Sequence, residues 1–334
     1  MALVEIRDLY TEFKTDQGIV KAVRGVSLDV NQGEALGIVG ESGSGKSQTM
    51  YSLIGLLADN GYVAGGTFKF DGEDITPSSF PNERAYVEAM RKLRGDKMAM
   101  IFQDPMTFLN PVLKIGTQLV EPLLNHTDMT KAQARERALE LMRLVGIPEA
   151  EKRIEQYPFE FSGGMRQRIV IAIALANNPK LVIADEPTTA LDVTIQAQVL
   201  ELIDELKKNT NSAIIMITHD LGVVAKLCDR IAIMYGGEIV EIGTDKEIFY
   251  EPKHPYTMGL INCISNPEDD SKEDLKPIPG SPPDLLDPPK GCPFVERCEK
   301  AMRVCKDFPP EVTTFSKTHQ CSCWLTDERA KYNE

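Results

Sequence analysis

Residues 40–47 have the sequence GESGSGKS, which fits the pattern G-x-x-x-x-G-K-[ST]. The apolar run ALGIV (35–39) precedes this loop and predicts a buried strand, and an apolar helical pattern begins near Lys46. Glycines let a backbone wrap closely around phosphate groups, and the amides at a helix N-terminus supply partial positive charge. The stretch therefore predicts a nucleotide-binding loop between a strand and a helix of an α/β fold.

The side chains of this loop predict a site for ATP with Mg²⁺. Lys46 is expected to reach the β- and γ-phosphates, and the hydroxyl of Ser47 to ligate the metal. The further residues expected to contact the nucleotide here are Ser42, Gly43, Ser44, Gly45 and Gln48.

Length and charge narrow the class of protein. A chain of 334 residues is longer than a typical domain, which predicts one large domain with a smaller appendix. No apolar run reaches the ~18 residues that span a bilayer, and the first residues lack the pattern of a signal peptide. The net charge of −13 predicts that nucleic acid is not a partner. We expect a cytosolic protein. If it acts at a membrane, we expect partner proteins to hold it there.

Apolar runs without polar alternation predict strands of a parallel sheet that is covered on both faces. These runs are LVIAD (181–185), AIIMIT (213–218) and IAIMY (231–235). Residues 193–208 predict a crossover helix, because their apolar side chains fall on one stripe: Ile195, Val199, Leu202, Ile203 and Leu206. Residues 1–250 are thus expected to form an α/β domain.

Two other segments differ from this α/β pattern in their sequence composition. Residues 106–180 contain no clear strand, and the amphipathic stretch 130–147, with Thr130 as its N-cap, predicts an inserted helical subdomain. Twelve of the 21 prolines lie from residue 252 onward, which predicts an extended linker over 277–289. Residues 251–334 are therefore expected to be a small proline- and cysteine-rich extension.

Polar side chains follow three apolar runs, which are MAMIF (98–102), LVIAD (181–185) and AIIMIT (213–218). Asp185 and Glu186 end the run LVIADE, where open parallel sheets bind their ligands. Asp185 is the candidate for holding Mg²⁺, and Glu186 is the candidate general base for the attacking water. Gln103 and His219 also follow apolar runs and could reach Mg²⁺ or the γ-phosphate, although a single Gln or His there is usually an ordinary loop residue.

A second helix start lies in FSGGMRQRIVIAIALANNP (161–179). Ser162 is an N-cap candidate, Gly163 and Gly164 allow close approach, and a strongly apolar helix follows. Its N-terminus could bind an anion, as the first loop does.

The order of these motifs resembles that of ABC-type ATPases over about residues 3–250. The motifs are GESGSGKS (40–47), Gln103, FSGGMRQR (161–168), LVIADEP (181–187), ALD (190–192) and THD (218–220). The resemblance implies a P-loop NTPase fold with a mainly parallel sheet core, an antiparallel β subdomain and an inserted helical subdomain.

The same resemblance implies roles for single residues. It implies a head-to-tail dimer in which ATP lies between the loop of one subunit and residues 162–164 of the other. His219 would contact the γ-phosphate, and Asp192 would communicate across the dimer. Phe13, with Tyr10 as the competitor, would stack on adenine.

Gln103 would link the Mg²⁺ site, of which it is also a candidate ligand, to membrane subunits. The surface expected to make that link lies near residues 104–116.

Several stretches of the sequence resemble one group of these ATPases more closely, namely those of oligopeptide and dipeptide permeases. They are the stretch from 161 to 199, HPYT (254–257) and the cysteine-rich tail; Met165 and MYGGEIVEIG (234–243) are similar to the first of two paired ATPases. The resemblance implies a heterodimer with a second ATPase, two membrane-spanning permease subunits and an extracytoplasmic peptide-binding protein. The place of action would be the cytoplasmic face of the membrane. A related substrate (nickel or antimicrobial peptides) and a non-transport ABC ATPase remain the alternatives.

Five of the seven cysteines lie in the last 43 residues. In a cytosolic protein such a group predicts metal ligation rather than disulfides. The spacing is not that of a CxxC zinc ribbon. The resemblance implies a [4Fe-4S] cluster held by Cys292, Cys298, Cys305 and Cys323, with Cys321 as the reserve fourth ligand. Zinc and unligated thiols are the alternatives.

Overall fold

The computed structural model describes residues 2–188, 193–263 and 278–329. The strands are β1 (Ala2–Thr15), β2 (Gly18–Asn31), β3 (Ala35–Val39), β4 (Gly61–Phe70), β5 (Glu73–Asp74), β6 (Met98–Ile101), β7 (Leu181–Asp185), β8 (Ala213–Thr218), β9 (Arg230–Tyr235), β10 (Glu238–Thr244), β11 (Val312–Thr314) and β12 (Gln320–Ser322).

The helices, in chain order, are α1 (Lys46–Ile54), α2 (Glu83–Leu93), α3 (Pro105–Phe108), α4 (Ile115–His126), α5 (Lys131–Leu144), α6 (Ala150–Arg153), α7 (Gly163–Ala174), α8 (Val193–Thr210), α9 (Leu221–Leu227), α10 (Asp245–Tyr250), α11 (Pro255–Asn262) and α12 (Val304–Asp307). Among the described residues, none of these helices combines the length and the apolar character needed to cross a bilayer.

The chain divides into two compact units. The first unit contains residues 1–30, 35–77 and 217–334, and the second contains residues 31–34 and 78–216. The domain limits expected from the sequence, at 250 and around 106–180, stay predictions.

The first unit contains an antiparallel sheet and a mixed one. The antiparallel sheet has the strand order β2-β1-β4-β5. In the other, the order is β11-β12-β10-β9-β3, with β3 parallel to β9 and the remaining neighbours antiparallel. All five residues of β3 are buried, as its lack of polar alternation predicts. The phosphate loop leaves the end of this strand and enters α1.

The second unit contains the parallel pair β6 and β7, whose residues are all buried. Between these strands the chain forms only helices and connections, α3 to α7, so the strand-free stretch predicted for 106–180 is confirmed. Helix α5 begins with a capping box in which the Thr130 hydroxyl accepts from the Gln133 amide. The predicted N-cap at Thr130 is therefore confirmed.

The C-terminal extension joins the sheet of the first unit. Strand β12 pairs antiparallel with β10, so that Cys321 lies opposite Glu241. The described part of the proline-rich segment, 278–289, forms neither helix nor strand, as its prolines predict. The rest of the predicted linker lies outside the described residues.

Candidate functional site

The phosphate loop of the first unit is held by close packing around Gly45. This glycine has φ +98°, and a Cβ built on it would lie 2.4 Å from the Ala22 carbonyl oxygen. The side chain of Lys46 is only 6% exposed, and its Nζ donates to the carbonyl oxygens of Gly40 at 2.7 Å and Glu41 at 2.9 Å. The lysine charge is therefore held inside the loop, where phosphates are expected.

The start of α1 offers backbone donors. Gly45 is its N-cap and has no side chain with which to satisfy the first helical amides, which suits an anion. Gly43 has φ +79°, and a Cβ there would meet no atom within 4 Å, so the loop is open on that side. Ser44 is buried, while Ser47 and Gln48 are half-buried in the first turn and Ser42 is exposed.

The two aromatic candidates for adenine lie on β1. Phe13 is paired with Gly61 of β4, and its ring covers that glycine so closely that a Cβ would approach it to 2.5 Å. Tyr10 is more exposed, and its ring lies beside Gly25 and Gly65. Both side chains are available on the surface, and the choice between them stays a prediction.

The second unit brings together two of the predicted catalytic residues. Asp185 ends β7 and is 2% exposed, whereas Glu186 follows it with φ +46°. Positive φ is uncommon for a residue with a Cβ and turns the chain sharply, which separates the two carboxylates. The Nε2 of Gln103 donates to Glu186 Oε2 at 2.9 Å. One carboxylate is therefore buried, and the other is oriented by an amide.

The second helix start also lies in this unit. Ser162 is the N-cap of α7, and its hydroxyl accepts from the Met165 amide at 3.4 Å. A Cβ at Gly163 would meet no atom within 4 Å, so this helix start is accessible. Gly164 lies against Ile195, where a Cβ would approach the side chain to 3.0 Å.

Gln167 is a residue that sequence reasoning missed. It is buried on α7, and its Nε2 donates to the carbonyl oxygen of Pro187 at 2.8 Å. This bond ties the helix to the turn after Glu186. Its position on the helix places it one turn beyond Gly163, but no pattern in the sequence shows its partner.

The two other predicted residues are His219 and Asp192. His219 is an exposed residue that directly follows β8, and the next residue, Asp220, caps α9 by accepting from the Gly222 amide at 2.8 Å. Asp192 lies outside the described residues.

The four cysteines predicted as cluster ligands line one small cavity of the first unit, with a volume of about 10 Å³. Cys321 instead lines a separate cavity beside β10. None of the seven cysteines, all within the described residues, forms a disulfide. Burial raises the pKa of Cys292 to about 12 and that of Cys323 to about 11, so these thiols are neutral at physiological pH.

His254 lies in the wall of the same cavity and is 1% exposed. Its Nδ1 accepts from the Tyr256 amide at 3.0 Å, which places the ring proton on Nε2. That N–H has no hydrogen-bond partner in the described part of the chain. Burial lowers the pKa of His254 to about 3, consistent with a neutral ring. Across the described ranges, no group of three or more His, Cys, Asp or Glu side chains is arranged to hold a metal ion.

Comparison with known proteins places these features in a family. Residues 23–189 match the family model described as ABC transporter, and residues 240–305 match the one described as Oligopeptide/dipeptide transporter, C-terminal region. The chain is 52% identical to the oligopeptide transport ATP-binding protein OppD of Bacillus subtilis over 97% of this chain and 88% of that protein. It is 50% identical to the dipeptide transport ATP-binding protein DppD of the same organism, over 99% and 96%.

A solved structure shares the fold. The ATP-binding cassette MJ0796, in a dimeric post-hydrolysis state bound to ADP and Pi, matches with a TM-score of 0.63 and 28% identity, over 72% of this chain and 98% of that one. The predicted ABC-type α/β fold is thereby confirmed. This chain belongs to the ABC transporter ATPases, among the ATP-binding proteins of the oligopeptide and dipeptide permeases.

Proposed function

We propose that this chain hydrolyses ATP to drive the import of dipeptides or oligopeptides across the cytoplasmic membrane. The observation that carries the proposal is the hydrogen bond from Gln103 to Glu186, the residue that follows the buried Asp185 in the chain. Its similarity over nearly the full length to peptide-transport ATP-binding proteins supports the class of substrate.

The predicted site residues have different roles in the binding and hydrolysis of ATP. Lys46 and the loop amides bind the phosphates, and Glu186 accepts a proton from the attacking water. The hydroxyl of Ser47 and the carboxylate of Asp185, with Gln103, suit Mg²⁺, which prefers oxygen ligands. Bound Mg²⁺ neutralises charge on the phosphates. His219 senses the γ-phosphate.

ATP joins two subunits in this proposal. The nucleotide on the loop of one subunit is covered by residues 162–164 of the other, and Asp192 signals across the dimer. The open surroundings of Gly43 and Gly163 support this arrangement, because each helix start can be approached from outside. The second ATPase is a similar but distinct chain, and both work with two permease subunits and an extracytoplasmic peptide-binding protein.

Replacement of Glu186 by Gln tests the catalytic role. The variant keeps the size of the side chain but cannot take a proton, so ATP turnover should fall by at least about 100-fold while ATP binding persists. Glu88→Gln, at an exposed position of α2, is the control and should leave turnover unchanged. Normal hydrolysis by Glu186→Gln protein would remove Glu186 from the mechanism.

We further propose that the four cysteines Cys292, Cys298, Cys305 and Cys323 hold a [4Fe-4S] cluster. Their shared cavity supports this proposal, as does the unpartnered N–H of His254 in its wall, because cluster sulfurs accept hydrogen bonds. The cavity itself has room for about one water molecule. The side chains must therefore move outward when the cluster is inserted. A bound cluster would supply a crosslink for a short extension that buries little apolar area.

The test is the metal content of protein purified without oxygen. We expect brown protein with about four iron and four sulfide per chain, as the cluster formula requires. Cys323→Ser should lose most of this iron, and Cys321→Ser, the matched control, should keep it. A colourless protein that contains zinc would contradict the assignment, as would equal iron loss in the two variants.

A further inference from the structure

The C-terminal extension contacts the phosphate loop through Arg297. This residue lies between Cys292 and Cys298 in the chain, and its side chain is 6% exposed. Its Nη1 and Nη2 donate to the two carboxylate oxygens of Glu41 at 2.7 and 3.0 Å. Two parallel bonds of this kind fix direction as well as distance. Glu41 is the second residue of the loop that binds phosphate.

The guanidinium of Arg297 is itself held in one orientation. Its Nε donates to the Pro279 carbonyl oxygen at 2.8 Å, and its Nη2 donates to that of Ile278 at 3.2 Å. Nη1 also donates to the hydroxyl of Tyr235 at 3.1 Å. The group lies 5.6 Å from the Tyr235 ring centre. Arg297 therefore offers Glu41 a preorganised pair of donors.

A second contact holds the backbone of Glu41. Its amide donates to the hydroxyl of Tyr256 at 3.0 Å. Tyr256 is fully buried and packs against Tyr235, with ring centres 4.5 Å apart. The carbonyl oxygen of Glu41 accepts from Lys46 Nζ. The extension thus holds the side chain and the amide of a residue whose carbonyl contacts the phosphate-binding lysine.

The charge of Glu41 affects how well the loop binds ATP. A carboxylate in the phosphate loop repels the triphosphate, and a paired guanidinium cancels most of that field. Without Arg297, Glu41 would keep its charge at the loop, and the loop would lose the bonds that orient its backbone.

We infer that Arg297, assisted by Tyr256, is a positioning residue for ATP binding: it neutralises Glu41 and fixes the loop conformation that presents Lys46. The extension is then part of the support of the nucleotide site, whether or not it holds a metal cluster.

The experiment measures the binding of a fluorescent ATP analogue with Mg²⁺ to the full-length protein. Arg297→Met should weaken binding by about tenfold, because it removes hydrogen bonds between charged groups. Adding Glu41→Gln to that variant should recover part of the affinity, since the unpaired charge disappears. Arg303→Met, at an exposed position of the same extension, should bind as the wild type does.

Further variants separate positioning from a merely structural contact. Arg297→Lys keeps the charge without the paired geometry, so its affinity should lie between those of wild type and Arg297→Met. Tyr256→Phe removes the acceptor of the Glu41 amide and should weaken ATP binding while Arg297 is intact. This variant serves as the test if Arg297→Met does not fold. Unchanged affinity in folded Arg297→Met protein would overturn the inference. So would the absence of recovery on adding Glu41→Gln.

Discussion

At the scale of single residues, the backbone of the phosphate loop is held by contacts of Lys46 and Glu41. Glu41 occupies a position that the sequence pattern of the loop leaves variable, yet its side chain, amide and carbonyl all have partners. Arg297 lies 256 residues away in the chain, and no local periodicity encodes so distant a pair.

Gly43 and Gly45 of the loop differ in how much space surrounds them. Both have positive φ, which costs about 1–2 kcal/mol for a residue with a Cβ. At Gly45 the new Cβ would also collide with the Ala22 carbonyl oxygen, whereas Gly43 has open space around it. Gly45→Ala should therefore lower the free energy of unfolding by more than Gly43→Ala, which thermal unfolding measures. Equal losses would contradict the packing described here.

At the scale of secondary structure elements, the long apolar strands were the most predictable part. The runs 35–39, 181–185 and 213–218 coincide with β3, β7 and β8, because complete burial removes polar alternation. Strands β11 and β12 were not predicted. They have three residues each and contain no apolar run, so their pairing with β10 depends on tertiary contacts rather than on propensity.

The helical part of the second unit presents a groove with apolar side chains in its wall. A groove of about 600 Å³ lies beside the predicted contact region, lined by Leu113, Lys114, Gly116, Val120, Leu124 and Ile154. Val112, next to it, is 75% exposed. Exposed apolar side chains around a groove are typical of binding surfaces. We propose that a cytoplasmic segment of a permease subunit binds here.

A charge at Val112 tests this surface. Val112→Asp should reduce both peptide uptake and the copurification of the ATPase with its membrane subunits, since the carboxylate must lose water on docking. ATP binding should not change. Val87→Asp, at an exposed position of α2, is the matched control and should behave as the wild type does. Full copurification of Val112→Asp protein would place the contact elsewhere.

At the scale of the whole molecule, the sequence indicated a motor with an appended tail, and the structure connects that tail to the first unit. The extension adds strands β11 and β12 to the sheet and contacts the phosphate loop through Arg297. The family and fold were predictable because each motif reflects a chemical requirement of ATP hydrolysis. The attachment of the tail was not, because it depends on pairings between segments far apart in the chain.

We propose that hydrolysis at this chain's own site powers peptide import. The most direct test is the uptake of a labelled tripeptide by cells that produce the Glu186→Gln variant in place of the wild type, at equal protein levels. We predict that accumulation falls to the level of cells lacking the chain. Uptake at the wild-type rate in the Glu186→Gln cells would show that hydrolysis at this site does not power import.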